Sequence, residues 1–212
     1  MIEHVKRQLQ NNQRVLMIGY ECDLLMRNLG DSKTKALSTL SYETRALNSN
    51  NSDLLSIILQ EISTHLPSSL VFNFGLSQVN GAELEQLTMW LADNNQTVNN
   101  IYLRELSIEG ESPLPLKRKI ATRKYLGNEW PGFLKNDADS HELFKEIDRH
   151  AIAWHLFSNV QLETVFMNAG FEIHTSLFSD RNLVRPLDKY GANGQTIGRP
   201  INEVFYKNNY QY

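Results

Sequence analysis

The chain has 212 residues, 41% hydrophobic and 21% charged, with a formal net charge of −3, a balance that suits one soluble α/β domain able to enclose its own core. The mild acidity gives no electrostatic footprint for nucleic acid, and the single cysteine, Cys22, excludes an internal disulfide and leaves a zinc–thiolate site without ligands. No apolar run approaches membrane-spanning length.

Ile2, Val5 and Leu9 stand at helical spacing and predict a short amphipathic helix. The polar stretch from Met1 to Gln10 lacks the apolar region of a signal peptide, so a cytoplasmic location is expected. Val15, Leu16, Met17 and Ile18 form an apolar run ending in Gly19, which reads as a buried strand and a tight turn. Leu24, Leu25, Asn28 and Leu29 continue it as a helix closed by Gly30. Ala36 to Tyr42 is a weaker strand ending at Glu43. A polar loop over Asn48 to Asp53 leads into a helix over 54–66, with Leu54, Leu55, Ile58, Leu59 and Ile62 as its apolar stripe and Pro67 as its stop.

The most regular stretch runs from Ser69 to Gly110. Leu70, Val71, Phe72 and Phe74 make the near-continuous apolar run of a strand buried on both faces. Asn80 and Glu83 are spaced as a helix N-cap pair, and Leu84, Leu87, Trp90 and Leu91 form the apolar face that follows. Ile101, Tyr102, Leu103 and Leu106 then read as a second strand, completing a right-handed βαβ unit. Ligands of such sheets sit beyond the carboxyl ends of the strands, here 73–80 and 104–109.

Beyond Gly110 the alternation breaks, and 111–139, rich in Pro, Gly and charge, is expected to be an irregular or short-helical insertion over one end of the sheet. Its basic cluster, Lys117, Arg118, Lys119, Arg123 and Lys124, is short enough to be a solvated face. Asp139 and Glu142 cap a predicted helix running through Leu143, Phe144, Ile147, Ala151 and Trp154. A further helix over Gln161 to Asn168 ends at Ala169-Gly170, and Phe171, Ile173, Thr175 and Leu177 alternate as a strand. Val204, Phe205 and Tyr206 predict a closing edge strand.

Four segments taken in order, VLMIGYE at 15–21, SLVFNFGLSQVNGAELEQL at 69–87, IYLREL at 101–106 and VFMNAGFEIHTSLF at 165–178, resemble the class I methyltransferases, which bind S-adenosylmethionine. The resemblance covers nearly the whole chain. It implies an α/β, Rossmann-like three-layer sandwich with a mostly parallel seven-stranded sheet and an antiparallel C-terminal strand, as one domain over 1–212 with a lid at about 111–139. It implies S-adenosylmethionine contacts at Gly19, Tyr20, Glu21, Asn73, Phe74 and Gly75, and a ribose-binding carboxylate at Glu43, since an anionic acceptor takes two hydroxyl donors at once. Gln78, Arg104, Tyr125 and Trp130 are the expected acceptor contacts. The chain departs from the family pattern at its first loop, where Met17 stands in place of an acidic residue and Tyr20, Glu21, Cys22 and Asp23 follow Gly19 where further glycines are usual.

Histidines are the groups most apt to take a proton near neutral pH, which makes His150 and His155 the catalytic candidates against the commoner fate of a hydrogen-bonded structural histidine. No metal-ligand pair is expected. The implied function is methyl transfer to a small-molecule acceptor, driven mainly by proximity and orientation. The alternative is an inactive methyltransferase-like domain serving as a binding or interaction module. A nicotinamide-dependent enzyme is disfavoured because no G-x-G-x-x-G follows the first strand. The partner expected is a small molecule, with no nucleic acid and no membrane, and a homodimer is compatible with the sequence.

Overall fold

Four short apolar runs become the parallel half of one sheet. The computed structural model describes residues 14–29, 36–42, 54–94, 97–106, 108, 114–135, 153–178 and 200–207. In it β1 (Arg14–Gly19) lies between β2 (Ala36–Ser41) and β3 (Ser69–Asn73), and β3 pairs on its other side with β4 (Asn100–Leu106), all parallel. Every residue of β3 is buried, as are Val15 to Gly19 and Ile101 to Leu106, which is why these strands read as continuous apolar runs. Helices α1 (Cys22–Leu29), α2 (Leu54–His65) and α3 (Gly81–Asn94) make the three crossovers. Because α1 connects outward to β2 whereas α2 and α3 connect the other way, right-handed crossovers put α1 on one face of the sheet and α2 and α3 on the other. The N-terminus of α3 is closed reciprocally: the Asn80 amide donates to Glu83 Oε2 at 2.8 Å and the Glu83 amide to Asn80 Oδ1 at 3.0 Å. Among the described residues no helix is long and apolar enough to cross a membrane.

Two expectations are corrected. The described part of 111–139 forms α4 (Leu114–Tyr125) and β5 (Phe133–Lys135), of which the helix agrees with the short-helical alternative. Only Leu116 and Ile120 of α4 are buried, one helical turn apart, a stripe too narrow to show as a period in the sequence. Trp154 belongs to a strand, β6 (Ala153–His155), which pairs antiparallel with β5 as a separate two-stranded ribbon; the expected helix leading to it falls otherwise on 139–152, outside the described residues. A short apolar run such as 151–157 satisfies either period, and pairing with Leu134 decides it.

The second correction concerns the closing strand. After α5 (Asn159–Asn168), β7 (Phe171–Phe178) and β8 (Pro200–Lys207) complete a sheet of order β2-β1-β3-β4-β8-β7. β8 is antiparallel to its neighbours, but it is interior rather than an edge, since it inserts between β4 and β7. The described residues give this sheet six strands.

Candidate functional site

The chain leaves β1 and β3 toward opposite faces, so the crevice of the sheet opens between their carboxyl ends. There the two strand-end loops touch through their backbones. Gly19 has φ +125°, and a Cβ on it would lie 2.1 Å from the Asn73 carbonyl oxygen. A Cβ on Gly75 lies 2.5 Å from the Ile18 carbonyl oxygen, already close for a neighbouring backbone. The Tyr20 amide donates to the Asn73 carbonyl at 2.9 Å, and the Asn73 side-chain amide donates back to the Tyr20 carbonyl at 2.6 Å. Glu21 and Phe74 both sit at φ +53°, a left-handed backbone that costs a side-chain-bearing residue about 1 kcal/mol or more.

Aromatic side chains fill the space above these loops. Tyr20 is only 3% exposed; its ring stacks on Trp154 with centroids 5.7 Å apart and meets Tyr42 edge-on at 5.3 Å. The Gln78 amide donates to the Tyr20 hydroxyl. Tyr42, whose amide donates to the Gly19 carbonyl, sends its own hydroxyl proton to the Gly75 carbonyl at 2.5 Å. Burial, with the nearby Glu105 and Cys22, holds the Tyr42 hydroxyl well above its ordinary pKa, so it stays a neutral donor.

Charge enters at the end of β4. Arg104 is buried, donates from a terminal guanidinium nitrogen to Asn73 Oδ1 at 3.2 Å, and lies with Cζ 4.8 Å from the centroid of the Phe74 ring. Burial weakens its hold on the proton, against the opposing pull of Glu21 and Glu105. Glu105 Oε1 accepts the Leu76 amide at 2.9 Å, and the Gly75 amide also bonds this carboxyl. Burial pushes its pKa up to about 8 despite those two bonds and the Arg104 charge, so the carboxyl holds its proton at neutral pH. Glu105 therefore ties the loop 74–76 to β4.

Gly19, Tyr20, Glu21, Asn73, Phe74, Gly75, Gln78 and Arg104 thus come together as one site. Others do not reach it. Tyr125 is 89% exposed at the end of α4. Trp130 packs over the start of α3, so close that a Cβ on Gly81 would lie 2.0 Å from its indole. Strand alternation sends Trp154 toward Tyr20 and His155 the opposite way. His155 is wholly buried among Trp130, Phe133 and Phe157, with Nδ1–H donating to the Val79 carbonyl at 2.8 Å and its amide to the Ser77 carbonyl at 2.5 Å. Burial drives its pKa down to about 3, against the Val79 bond and aided by Arg123, so it is a neutral structural histidine. His150 and Glu43 lie outside the described residues. Sequence reasoning passed over Tyr42 and Glu105 as members of the site. For Glu105 a signal existed, a carboxylate inside an otherwise apolar strand run.

Neither a protein-family model nor a curated protein sequence matches the chain. Solved structures do. A cyclopropane synthase from Mycobacterium tuberculosis superposes with TM-score 0.56 at 11% identity, covering 97% of this chain and 82% of that one. A SAM-dependent methyltransferase from Methanosarcina mazei gives TM-score 0.53 at 11% identity over 96% of each chain. The 1,6-didemethyltoxoflavin-N1-methyltransferase of Burkholderia thailandensis, with its substrate and S-adenosylhomocysteine bound, gives 0.53 at 8% identity over 98% of this chain and 76% of that one. These likenesses establish the fold as that of the class I S-adenosylmethionine-dependent methyltransferases.

Proposed function

We propose that this chain binds S-adenosylmethionine in the crevice between β1 and β3 and transfers a methyl group to a small-molecule acceptor. The observation that carries this reading is the backbone of the first loop: Gly19 at φ +125° pressed against Asn73, and Glu21 held at φ +53° where the related enzymes usually have glycine. A left-handed conformation kept by a glutamate, at a cost, favours a loop shaped by ligand over one shaped by packing alone. The Gly19–Glu21 and Asn73–Gly75 loops are the residues that would hold the cofactor, with Glu43 on the ribose. When bound, the cofactor supplies an activated methyl group on a sulfonium. The chain's own contribution is positional: the amides of Asn73 and Gln78 orient polar groups, Tyr42 and Trp154 exclude water, and Arg104 balances Glu21.

Tyr20, buried and stacked on Trp154 above the two loops, would have to leave that stack to admit a ligand. The other reading that the sequence leaves open is a methyltransferase-like domain that serves as a binding module without cofactor. Calorimetric titration with S-adenosylmethionine and S-adenosylhomocysteine separates the two when wild type and Tyr20→Gly are compared. Saturable binding at about micromolar concentration, tightened in the variant, is the expected outcome. A cooperative melt with no heat of binding in either protein assigns the module.

A further inference from the structure

We propose that the groove between α3 and α5 is the seat for helix α4 of a second copy of this chain, in a two-fold symmetric dimer. The groove encloses about 460 Å³ and is lined by Met89, Trp130 and Val160 on its apolar side and by the carboxylates Glu85 and Glu129. Met89 and Val160 are 61% and 66% exposed, so apolar surface stands open beside acidic groups. An apolar patch with a charged rim marks an interaction surface.

Helix α4 has the complementary chemistry. Lys117, Arg118 and Lys124 are exposed along it, and its sequence contains no acidic residue although the whole chain is acidic. At its C-terminal end Tyr125 and Leu126 project at 89% and 72% exposure. A basic, apolar-tipped helix opposite an acidic, apolar-floored groove steers toward itself and away from an acidic protein or an anionic membrane, either of which the carboxylates of the groove would repel. The short turn from Leu126 to Trp130 joins the two features, and Gln161 of α5 fixes it by donating to the Glu129 carbonyl. Plug and socket therefore neighbour one another, which is what an isologous contact requires: one two-fold axis near the turn lets each α4 enter the other copy's groove and closes the assembly at two.

Sedimentation velocity of the full chain from about 1 to about 200 μM, in about 50 mM and about 500 mM salt, tests this. A dimer that forms with concentration and weakens with salt is expected. Glu85→Lys with Glu129→Lys makes groove and helix both basic, and Lys117→Glu, Arg118→Glu and Lys124→Glu together, which leave Lys119 and Arg123 against three carboxylates, make both acidic. Each set should raise the dissociation constant at least about tenfold, and mixing the two proteins should restore association, because both contacts of the mixed dimer are then complementary. All the altered residues are exposed, and a cooperative melt shows that each protein is folded. A wild type that stays monomeric throughout, a dimer that neither reversal weakens, or a mixture that fails to associate overturns the proposal. A monomer that retains a single-stranded oligonucleotide at low salt overturns it and assigns α4 to a polyanion.

Discussion

At the scale of single residues, the buried titratable groups set a stability profile with pH. Glu105 has its pKa raised from 4.5 to about 8, so between those values the folded chain holds a proton that the unfolded chain releases, and stability falls as pH rises through that window. His155 has its pKa lowered from 6.5 to about 3, so in that range the unfolded chain binds a proton that the folded chain refuses, and stability falls as pH drops. The two slopes oppose each other in the overlap. The expected curve is therefore a plateau between about pH 4.5 and 6.5 with a loss on each side. Glu105→Gln keeps an acceptor for the Leu76 amide and should remove the alkaline limb, about 2 to 4 kcal/mol at pH 8 in denaturant titrations. An alkaline limb unchanged in that variant would mean that another group causes it. Strain makes a second pair of expectations. Glu21→Gly relieves a left-handed φ and should leave stability equal or raise it by about 1 kcal/mol, lost attraction to Arg104 notwithstanding. Gly19→Ala drives a Cβ into a backbone carbonyl and should cost about 3 kcal/mol or more. Equal denaturation midpoints for these two variants would remove the argument from loop geometry.

At the scale of elements, the two-stranded ribbon differs from the loose lid that composition suggests. Leu134, Trp154, Leu156 and Phe157 are buried, and the ribbon is tied by backbone bonds from His155 to Ser77, from Leu156 to Gly132 and from Phe157 to Leu106. Hydrogen exchange should find the amides of 155–157 protected to within about tenfold of those of β3. Exchange a thousandfold faster or more would mean that the ribbon is only loosely tied to the sheet. The start and the apolar face of helix α3 were legible, because its Asn80–Glu83 cap and its Leu84, Leu87 and Leu91 are local features spaced by single turns. The ribbon was not, because β5 and β6 are three-residue strands distant in sequence, and only their mutual pairing distinguishes them from helix or loop.

For the whole molecule, the order β2-β1-β3-β4-β8-β7 makes the parting of β1 and β3 the topological switch point of the sheet. The adjacency of β1, β3 and β4 followed from apolar runs joined by amphipathic crossovers, since a strand covered on both faces needs a helix to cover it. A single charge in that layer should prevent folding: Val71→Asp is expected to abolish the cooperative melt, and its survival would mean that β3 is not the centre of the core. Sequence by itself determined the strands of the main sheet, the crossovers of its parallel half and the loops at their carboxyl ends, because periodicity and capping act over a few residues. Tertiary structure alone decided that β8 enters between β4 and β7, that Trp154 comes to lie on Tyr20, and that His155 faces away from the crevice. Those outcomes depend on which side of a short strand a ring takes and on contacts between residues 31 to 134 positions apart, and no local preference in the chain encodes either.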